Sequence, residues 1–471
     1  MMTTTTTRAI NRWNPGLERD RRIRTRRRLR AADLLLIAFW TSAALSVGLY
    51  LAYGGFTSVS SLSTLVDAVG IVAGLVGTNL ILVMLLIAAR IPLIDRAVGQ
   101  DAAMAFHRRL GKPALDLLLA HFVLLTVGWA IADGQNVIAE TVTLFTTPDM
   151  AIAYLGLGLL IVVVVSSLIA VRRRFPYEAW HAIHLVSYVA VLVAVPHQFS
   201  VGGVLADGTW QRIYWIALYV GAFAAIAWFR FAVPIVRSSR HRIRVAGIEQ
   251  VAPGVASIHL TGRNLDRLRI NGGQYAIWRF WSAGTWWHAH PISFSAVPTA
   301  TSARITVREL GSGTARLARL RPGTPVSIEG PYGVFTDVTR TSPHLAIIAA
   351  GIGITPARAL LEHSRLAPGE ATLLLRGTDE NQKSLWDETI ALATASRGQA
   401  YTMIGHRPSN VDTWMSADDY RRGVTLQSAF PDLTTSDLYV CGPQAWSDLV
   451  VANAQAAGLR DEQIHVERFD W

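Results

Sequence analysis

The sequence predicts a membrane α-helical bundle of six spans, followed by an antiparallel β-barrel domain and an α/β domain. Three observations carry that expectation. Of 471 residues, 51% are hydrophobic and only 16% are charged, with a mean hydropathy of +0.31; this is too apolar for an ordinary soluble enzyme. The long apolar stretches end at Arg242, where short alternating segments punctuated by Gly and Pro begin. From His344 the pattern changes again, to strand, glycine turn and helix.

Six stretches are long enough to span a bilayer: near residues 33–53, 69–89, 114–132, 151–171, 180–199 and 213–235. An even number of spans puts both termini on one side. Basic loops (18–30, 90–112, 171–179, 236–242) alternate with poor ones (54–66, 133–150, 198–210), which places the termini in the cytoplasm of a multi-pass plasma or inner membrane protein. The formal charge of +11 sits in these flanking clusters, among them Arg172, Arg173, Arg174, Arg237, Arg240 and Arg242. That is a membrane signature, not a nucleic-acid stripe. Domains are expected at 1–30 (basic tail), 31–236 (membrane bundle), 237–340 (β-barrel) and 341–471 (α/β). The Thr3–Thr7 run reads as a low-complexity tail. No small-residue cleavage site follows the first apolar run, so the first helix is read as uncleaved.

Histidines inside the spans carry the first chemical signal. His107 and His121 in span 3 lie 14 residues apart, close to four helical turns and roughly 21 Å along the axis. His184 and His197 in span 5 are 13 residues apart, a rise of roughly 19.5 Å. Spans 3 and 5 run parallel, so the two pairs lie level and suit two stacked haems, His107 with His184 on the inside and His121 with His197 on the outside. A membrane histidine can simply hydrogen-bond within a bundle, but four at matched depths favour ligation. Thirteen residues fall short of four turns, and Pro196 offers a local distortion. His181 reads as an interfacial or supporting residue, Asp116 as a partner of Lys112. Arg108 and Arg109 suit either haem propionates or a basic membrane anchor. The lone Cys441 excludes an internal disulfide and a C-x-x-C-H attachment, so any haem is held non-covalently.

After Arg242, His290-Pro291-Ile292-Ser293 follows a strand near Gly273-Gln274-Tyr275. Arg308 then precedes Gly311-Ser312-Gly313-Thr314, and Gly330-Pro331-Tyr332-Gly333 closes the β region. A glycine turn entering a helix exposes N–H groups to a pyrophosphate, and an adjacent arginine neutralises its charge. Gly351-Ile352-Gly353-Ile354-Thr355-Pro356 lies at a strand-to-helix junction suited to a dinucleotide phosphate. Cys441-Gly442-Pro443 ends a later strand, where ligands gather in open α/β sheets; alternatively Cys441 is a small buried hydrophobe. The terminal Trp471 is either a frayed tail or a ring to stack on a flavin.

Taken together, these residues resemble the ferric reductase and NADPH oxidase superfamily over almost all of residues 31–471. The membrane half does so through Arg90-Ile91-Pro92, His107-Arg108-Arg109-Leu110-Gly111 and the four spaced histidines; the second half is similar to a ferredoxin-NADP reductase module. The resemblance implies b-type haems at His107/His184 and His121/His197. It implies FAD on His290, Pro291, Ile292, Ser293, Arg308 and Thr314, within motifs that include Gln274, Tyr275, Gly311 and Gly313. It also implies NADPH at Gly351, Gly353, Thr355 and Pro356, with Cys441 and the adjoining Gly442 and Pro443 beside the nicotinamide and Trp471 over the flavin. Arg376 and Arg407 match positions that contact the adenosine 2′-phosphate, favouring NADPH, with NADH the alternative.

The expected function is transmembrane electron transfer from cytoplasmic NADPH, through FAD and two haems, to a ferric chelate or dioxygen on the other side. Delivery to a quinone or a partner redox protein is one alternative; a haem-free membrane anchor for a cytosolic flavin reductase is another. Ile292 stands where an aromatic is common in the family. Residues 122–128 lack the extra histidine of oxygen-reducing members, and 34–53 lack an arginine, so the acceptor stays open.

Overall fold

The computed structural model describes residues 15–468 apart from Phe56, Arg173, Pro176 and Gly202. Trp471 and the Thr3–Thr7 run lie outside the described residues. Within them, six helices are long and apolar enough to cross a membrane: α1 (Ile23–Ala52), α2 (Leu62–Ala88), α3 (Gln100–Asp133), α4 (Met150–Ser167), α5 (Glu178–Ser200) and α6 (Trp210–His241). Caps set some of their starts. The Ser61 hydroxyl accepts from Thr64 N ahead of α2, and the Thr209 hydroxyl from Arg212 N ahead of α6. Residues 32–94 and 100–231 form one compact unit. Leu36, Ile37, Trp40, Val189, Leu192, Ile213 and Val220 are exposed on it, as expected of faces that meet lipid rather than water.

α2 is the packing centre. In its most apolar stretch 61% of residues are buried, against 11–28% in the other five spans. Gly70, Gly74 and Gly77 let α3 approach closely. A Cβ on Gly74 would lie 2.4 Å from His121 Nδ1, one on Gly70 3.0 Å from Leu125 Cδ2, and one on Gly77 3.1 Å from Leu118 Cδ2. Without a hydrophobic drive between helices in lipid, such close backbone packing supplies much of the association. α5 is interrupted: it is helical to Val193, turns at Ala194 and resumes over Val195–Ser200 with Pro196 in the new first turn. Proline has no N–H and clashes with the preceding turn, which accounts for a break at the point where the 13-residue spacing needs one. The 133–150 connection contains a helix, Val137–Thr146, with Ile138, Val142 and Phe145 exposed and Glu140 and Leu144 buried.

The second compact unit holds the chain from Ala232 onward and the segment Asp95–Gly99. Its first part has six strands, β1 (Arg244–Ala252), β2 (Val255–Thr261), β3 (Tyr275–Phe280), β4 (His290–Ser293), β5 (Ser302–Arg308) and β6 (Val326–Tyr332). They form two antiparallel sheets, β1-β2-β5 and β4-β3-β6. One apolar core lies between them, built on Ile258, Trp278, Phe280, Phe294 and Ile305. The sheets meet at the bridges Arg244–Pro325 and Phe294–Ile305, beside which Val326 N donates to the Ile243 carbonyl at 2.9 Å and Ser295 N to the Arg304 carbonyl at 2.9 Å, so they are tied at both edges. The four-residue β4 is too short to carry a continuous ladder around the corner.

The second part is a parallel sheet of order β11-β10-β7-β8-β9, from β7 (His344–Ala350), β8 (Ala371–Gly377), β9 (Gln399–Ile404), β10 (Ser436–Gly442) and β11 (Ile464–Arg468). Its helices are α7 (Ile354–His363), α8 (Trp386–Ala395) and α9 (Gln444–Ala456). Near-continuous apolar strands such as His344–Ala350 are buried on both faces, as a helix-covered parallel sheet requires. β7 has β8 on one side and β10 on the other, so the chain order reverses there. The crevice at such a reversal, beyond the strands' carboxyl ends, is where α/β sheets take ligands; Gly351 and Gly442 sit at it.

Gly74→Ala should lower stability by about 1–3 kcal/mol, the usual cost of overpacking, because the new Cβ meets the His121 ring. Gly158→Ala, with nothing within 4 Å of its Cβ, is the matched control. Thermal-unfolding midpoints in detergent check this; equal midpoints would contradict the close-packing assignment.

Candidate functional site

α3 and α5 each deliver histidines into the bundle. His107 and His184 lie with ring centroids 6.1 Å apart at an interplanar angle of 62°. Metal–imidazole bonds of roughly 2 Å on either side of one metal put two ring centroids roughly 6 Å apart, so this pair has the separation of an axial ligand set. His121 and His197 both line a cavity of about 380 Å³, walled mainly by apolar side chains such as Leu118, Phe122 and Leu157. An apolar slot lined by two imidazoles suits a haem at His121 and His197, whereas the His107–His184 pair meets the test of ring separation.

The second ring nitrogens show how the imidazoles are aimed. His121 Nδ1 bonds the Gly70 carbonyl at 2.9 Å, and His107 Nδ1 bonds the Met84 carbonyl at 3.3 Å. Gly70 and Met84 are fourteen residues apart, like the histidines they hold. With Nδ1 donating to a carbonyl, the lone pair is on Nε2, the tautomer and orientation a metal-bound histidine needs. On α5, His184 Nδ1 lies 3.4 Å from the Ser167 hydroxyl, which also accepts from Trp180 Nε1 at 3.3 Å. Trp180 stacks on His184 (centroids 5.2 Å) beneath the Arg172 guanidinium at 4.5 Å. His197 Nδ1 is buried with no hydrogen-bond partner among the described residues.

In the second unit, β4 presents His290–Ser293. His290 Nε2 and Ser293 Oγ are buried with no hydrogen-bond partner among the described residues. Each such group costs about 1–3 kcal/mol unless something bonds it, so a polar ligand is the natural complement. Gly313 lies over His290, a Cβ there falling 3.7 Å from His290 Cε1. Thr314 Oγ1 is held locally, accepting from Leu310 N at 2.9 Å and Gly311 N at 3.3 Å. Gln274 ties the region together: its Oε1 accepts from Asn271 N at 2.9 Å and its Nε2 donates to the Gly333 carbonyl at 3.2 Å. Tyr275 pairs with Ser293 across β3–β4, Ala276 with Ile292 and Ile277 with Pro291.

Arg308, at the end of β5, reaches the dinucleotide turn. A Cβ on Gly351 would lie 3.7 Å from Arg308 Nη1, and both line a small cleft with Ile352, Gln382 and Ser384. Gly351 has φ +56°, the left-handed region that glycine enters freely. Gly353 packs so tightly on β10 that a Cβ would lie 2.3 Å from the Cys441 carbonyl. Thr355 donates to the Ile352 carbonyl at 3.0 Å, tightening the turn, and Thr355 and Pro356 are buried at the start of α7. The Cys441 thiol faces the core and is wholly buried; burial, then Glu467, pushes it well above the usual thiol range, so it stays protonated. Gly442 and Pro443 follow it at the strand end.

The two arginines of the expected adenosine 2′-phosphate site are placed differently. Arg376 is buried, its guanidinium donating to the Gly377, Met403 and Gly405 carbonyls, whereas Arg407 is exposed at the same sheet edge. Sequence reasoning also missed the Gly70, Gly74 and Gly77 stripe, whose small-residue spacing was the available signal. Ser167 and Trp180, which support His184, carried no signal of their own.

Comparison with known proteins agrees with this division. Residues 73–195 match the family described as ferric reductase like transmembrane component. The chain is 31% identical over 180 residues to ferredoxin–NADP reductase B of Sorangium cellulosum, covering 35% of this chain and 70% of that protein. It is 27% identical over 206 residues to a flavohemoprotein of Xylella fastidiosa, covering 42% of this chain and 50% of that protein. It is 29% identical over 147 residues to the plasma membrane-associated coenzyme Q6 reductase of Saccharomyces cerevisiae, covering 30% of this chain and 46% of that protein. The chain therefore spans about half the length of the flavohemoprotein and of the coenzyme Q6 reductase, and 70% of ferredoxin–NADP reductase B.

Burial, then the neighbouring His288 and Arg279, pulls His290 down to about 4. An unfolded histidine titrates near 6.5, so between these values the unfolded chain binds the extra proton. Stability present above pH 6.5 should therefore be lost as pH falls toward 4. His290→Gln should flatten that slope in thermal unfolding of the full chain; an unchanged slope would mean that His290 is not the group responsible.

Proposed function

Because the chain belongs to the ferric reductase and NADPH oxidase superfamily, a ferric reductase like transmembrane component joined to a ferredoxin–NADP reductase type of module, we propose that it moves electrons across a membrane. In this reading cytoplasmic NADPH is the donor, FAD and two b-type haems are the carriers, and a ferric chelate or dioxygen on the opposite face is the acceptor. One observation carries it: two imidazole pairs, one at ligand separation and one flanking an apolar cavity, on helices α3 and α5 of the same bundle.

Bound FAD takes up a hydride and gives single electrons, and bound haem iron passes single electrons on. The residues of this chain hold and orient. The Gly70 and Met84 carbonyls fix the tautomer of His121 and His107 and strengthen them as ligands. Ser167 and Trp180 do the same for the face and edge of His184. The unsatisfied His290 Nε2 and Ser293 Oγ suit the polar edge of a flavin, and Arg308 beside the Gly351 turn suits paired phosphates. The protonated Cys441 thiol serves packing, and its carbonyl and the following Gly442 shape the crevice. Exposed Arg407, with one long bond to the Thr413 carbonyl, suits a 2′-phosphate better than the buried Arg376. A haem-free anchor would have no use for two aimed imidazole pairs. Delivery to a quinone is the second reading, supported by the similarity to a coenzyme Q6 reductase.

His121→Ala should halve the haem content and cut reduction of an external acceptor roughly 10- to 100-fold, the scale of losing metal-site residues. NADPH-driven reduction of a soluble dye should persist. Full-rate acceptor reduction in this variant would exclude the outer pair. Arg407→Ala should lower kcat/KM for NADPH about 10- to 100-fold, the scale of one charge-assisted hydrogen bond or two, with NADH unaffected; equal losses with both would remove Arg407 from 2′-phosphate recognition.

A further inference from the structure

We propose that the charged cluster Arg304–Glu388–Arg358–Glu362 is a positioning device that fixes the nucleotide-binding helix α7 against the strand leaving the His290–Ser293 motif. It thereby sets the gap between nicotinamide and flavin; this rests on the hydride-transfer reading above. Ser295, two residues beyond Ser293, is wholly buried. Its carbonyl accepts from Arg304 Nη2 at 3.0 Å and from Arg358 Nη1 at 2.9 Å, and its hydroxyl from Arg304 Nε at 3.2 Å and Thr306 Oγ1 at 2.8 Å. Arg358 belongs to α7, one turn below Ile354 and the glycine turn.

The carboxylates close the cluster. Glu388 of α8 takes Arg358 Nε at 2.6 Å and Arg304 Nη2 at 3.0 Å on one oxygen. Glu362 of α7 takes Arg358 Nη1 at 2.8 Å and the Val297 amide at 2.7 Å. Two cations and two anions thus join the β4–β5 segment, α7 and α8, leaving no net charge. A second, independent contact pins α7 from another side. Gly272, just before Gln274, lies so close that a Cβ would fall 1.9 Å from the Ala359 carbonyl.

The plainer account is an ion-pair cluster that only stabilises a domain boundary. Two features argue for positioning. Ion pairs whose carboxylates are about a third exposed add little stability, yet four donors converge on one serine two residues from the flavin motif. Contacts between domains of a chain are mobile by default unless something holds them, and a hydride gap does not tolerate such motion: a displacement of roughly 1 Å costs about 100-fold in rate.

The test is anaerobic stopped-flow reduction of the flavin by NADPH in the full-length, FAD-loaded protein, comparing the natural chain with Glu388→Gln and Glu388→Asp. Glu388→Gln should reduce its flavin 10- to 100-fold more slowly, with unchanged FAD content and NADPH affinity and a weakened nicotinamide–flavin charge-transfer absorbance. Glu388→Asp should recover part of the rate and the band. Independently of loading, hydrogen exchange in the cofactor-free chain should quicken at residues 294–297 and 354–362. If Glu388→Gln does not fold, Glu362→Gln, which leaves the Glu388 pairs in place, serves the same comparison. A natural chain whose flavin NADPH does not reduce overturns the hydride-transfer reading. A natural chain that is reduced, with both Gln variants matching it in rate and band, overturns this one.

Discussion

An imidazole buried in a lipid-facing bundle is costly unless its ring nitrogens find partners, and α2 supplies one each to His107 and His121. That helix carries no histidine itself. It offers three glycines where α3 comes close and two carbonyls, at Gly70 and Met84, at the levels of His121 and His107. These bonds occupy Nδ1 and leave Nε2 for the interior. The need for such partners explains why α2 is the most buried span and why a side chain at Gly74 would collide with a histidine rather than with another apolar group.

On α5 the problem is solved differently. His184 leans on Ser167 and stacks on Trp180, while His197 follows a helix break at Ala194. A continuous helix would turn His197 away from His184 by part of a turn; the break, forced by Pro196, frees the second segment to face the cavity shared with His121. The other unit shows a similar economy of polar groups. Arg358 and Arg304 spend donors on carboxylates and the Ser295 carbonyl, whereas His290 Nε2 and Ser293 Oγ remain unsatisfied at the place where the motif would meet a flavin.

Much of this was legible beforehand, for identifiable reasons. Spans announce themselves by composition, and His107 and His121 by a spacing that matches helical turns. Gly351-Ile352-Gly353 was readable because a strand-to-helix turn demands small residues at fixed places. Other features depend on a partner distant in sequence. Gly74 is informative only beside His121, and Arg304 only beside Glu388, 84 residues on. That the Arg376 Nη groups bond the Gly377, Met403 and Gly405 carbonyls is likewise invisible in sequence, where an arginine's type says nothing of its partners. The barrel was expected from alternation, which marks strands but not the bridges Arg244–Pro325 and Phe294–Ile305 that tie the two sheets. The Val137–Thr146 helix escaped notice because a ten-residue amphipathic segment between spans resembles a loop in composition.

The central claim, that α3 and α5 clamp two haems between paired imidazoles, is tested most directly by haem stoichiometry and spin state in the purified full-length protein. Pyridine haemochrome analysis combined with low-temperature electron paramagnetic resonance supplies both. The account predicts two b-type haems per FAD, both low-spin with bis-imidazole signatures. A single haem per FAD, a high-spin centre, or no haem in protein that retains its flavin would contradict it.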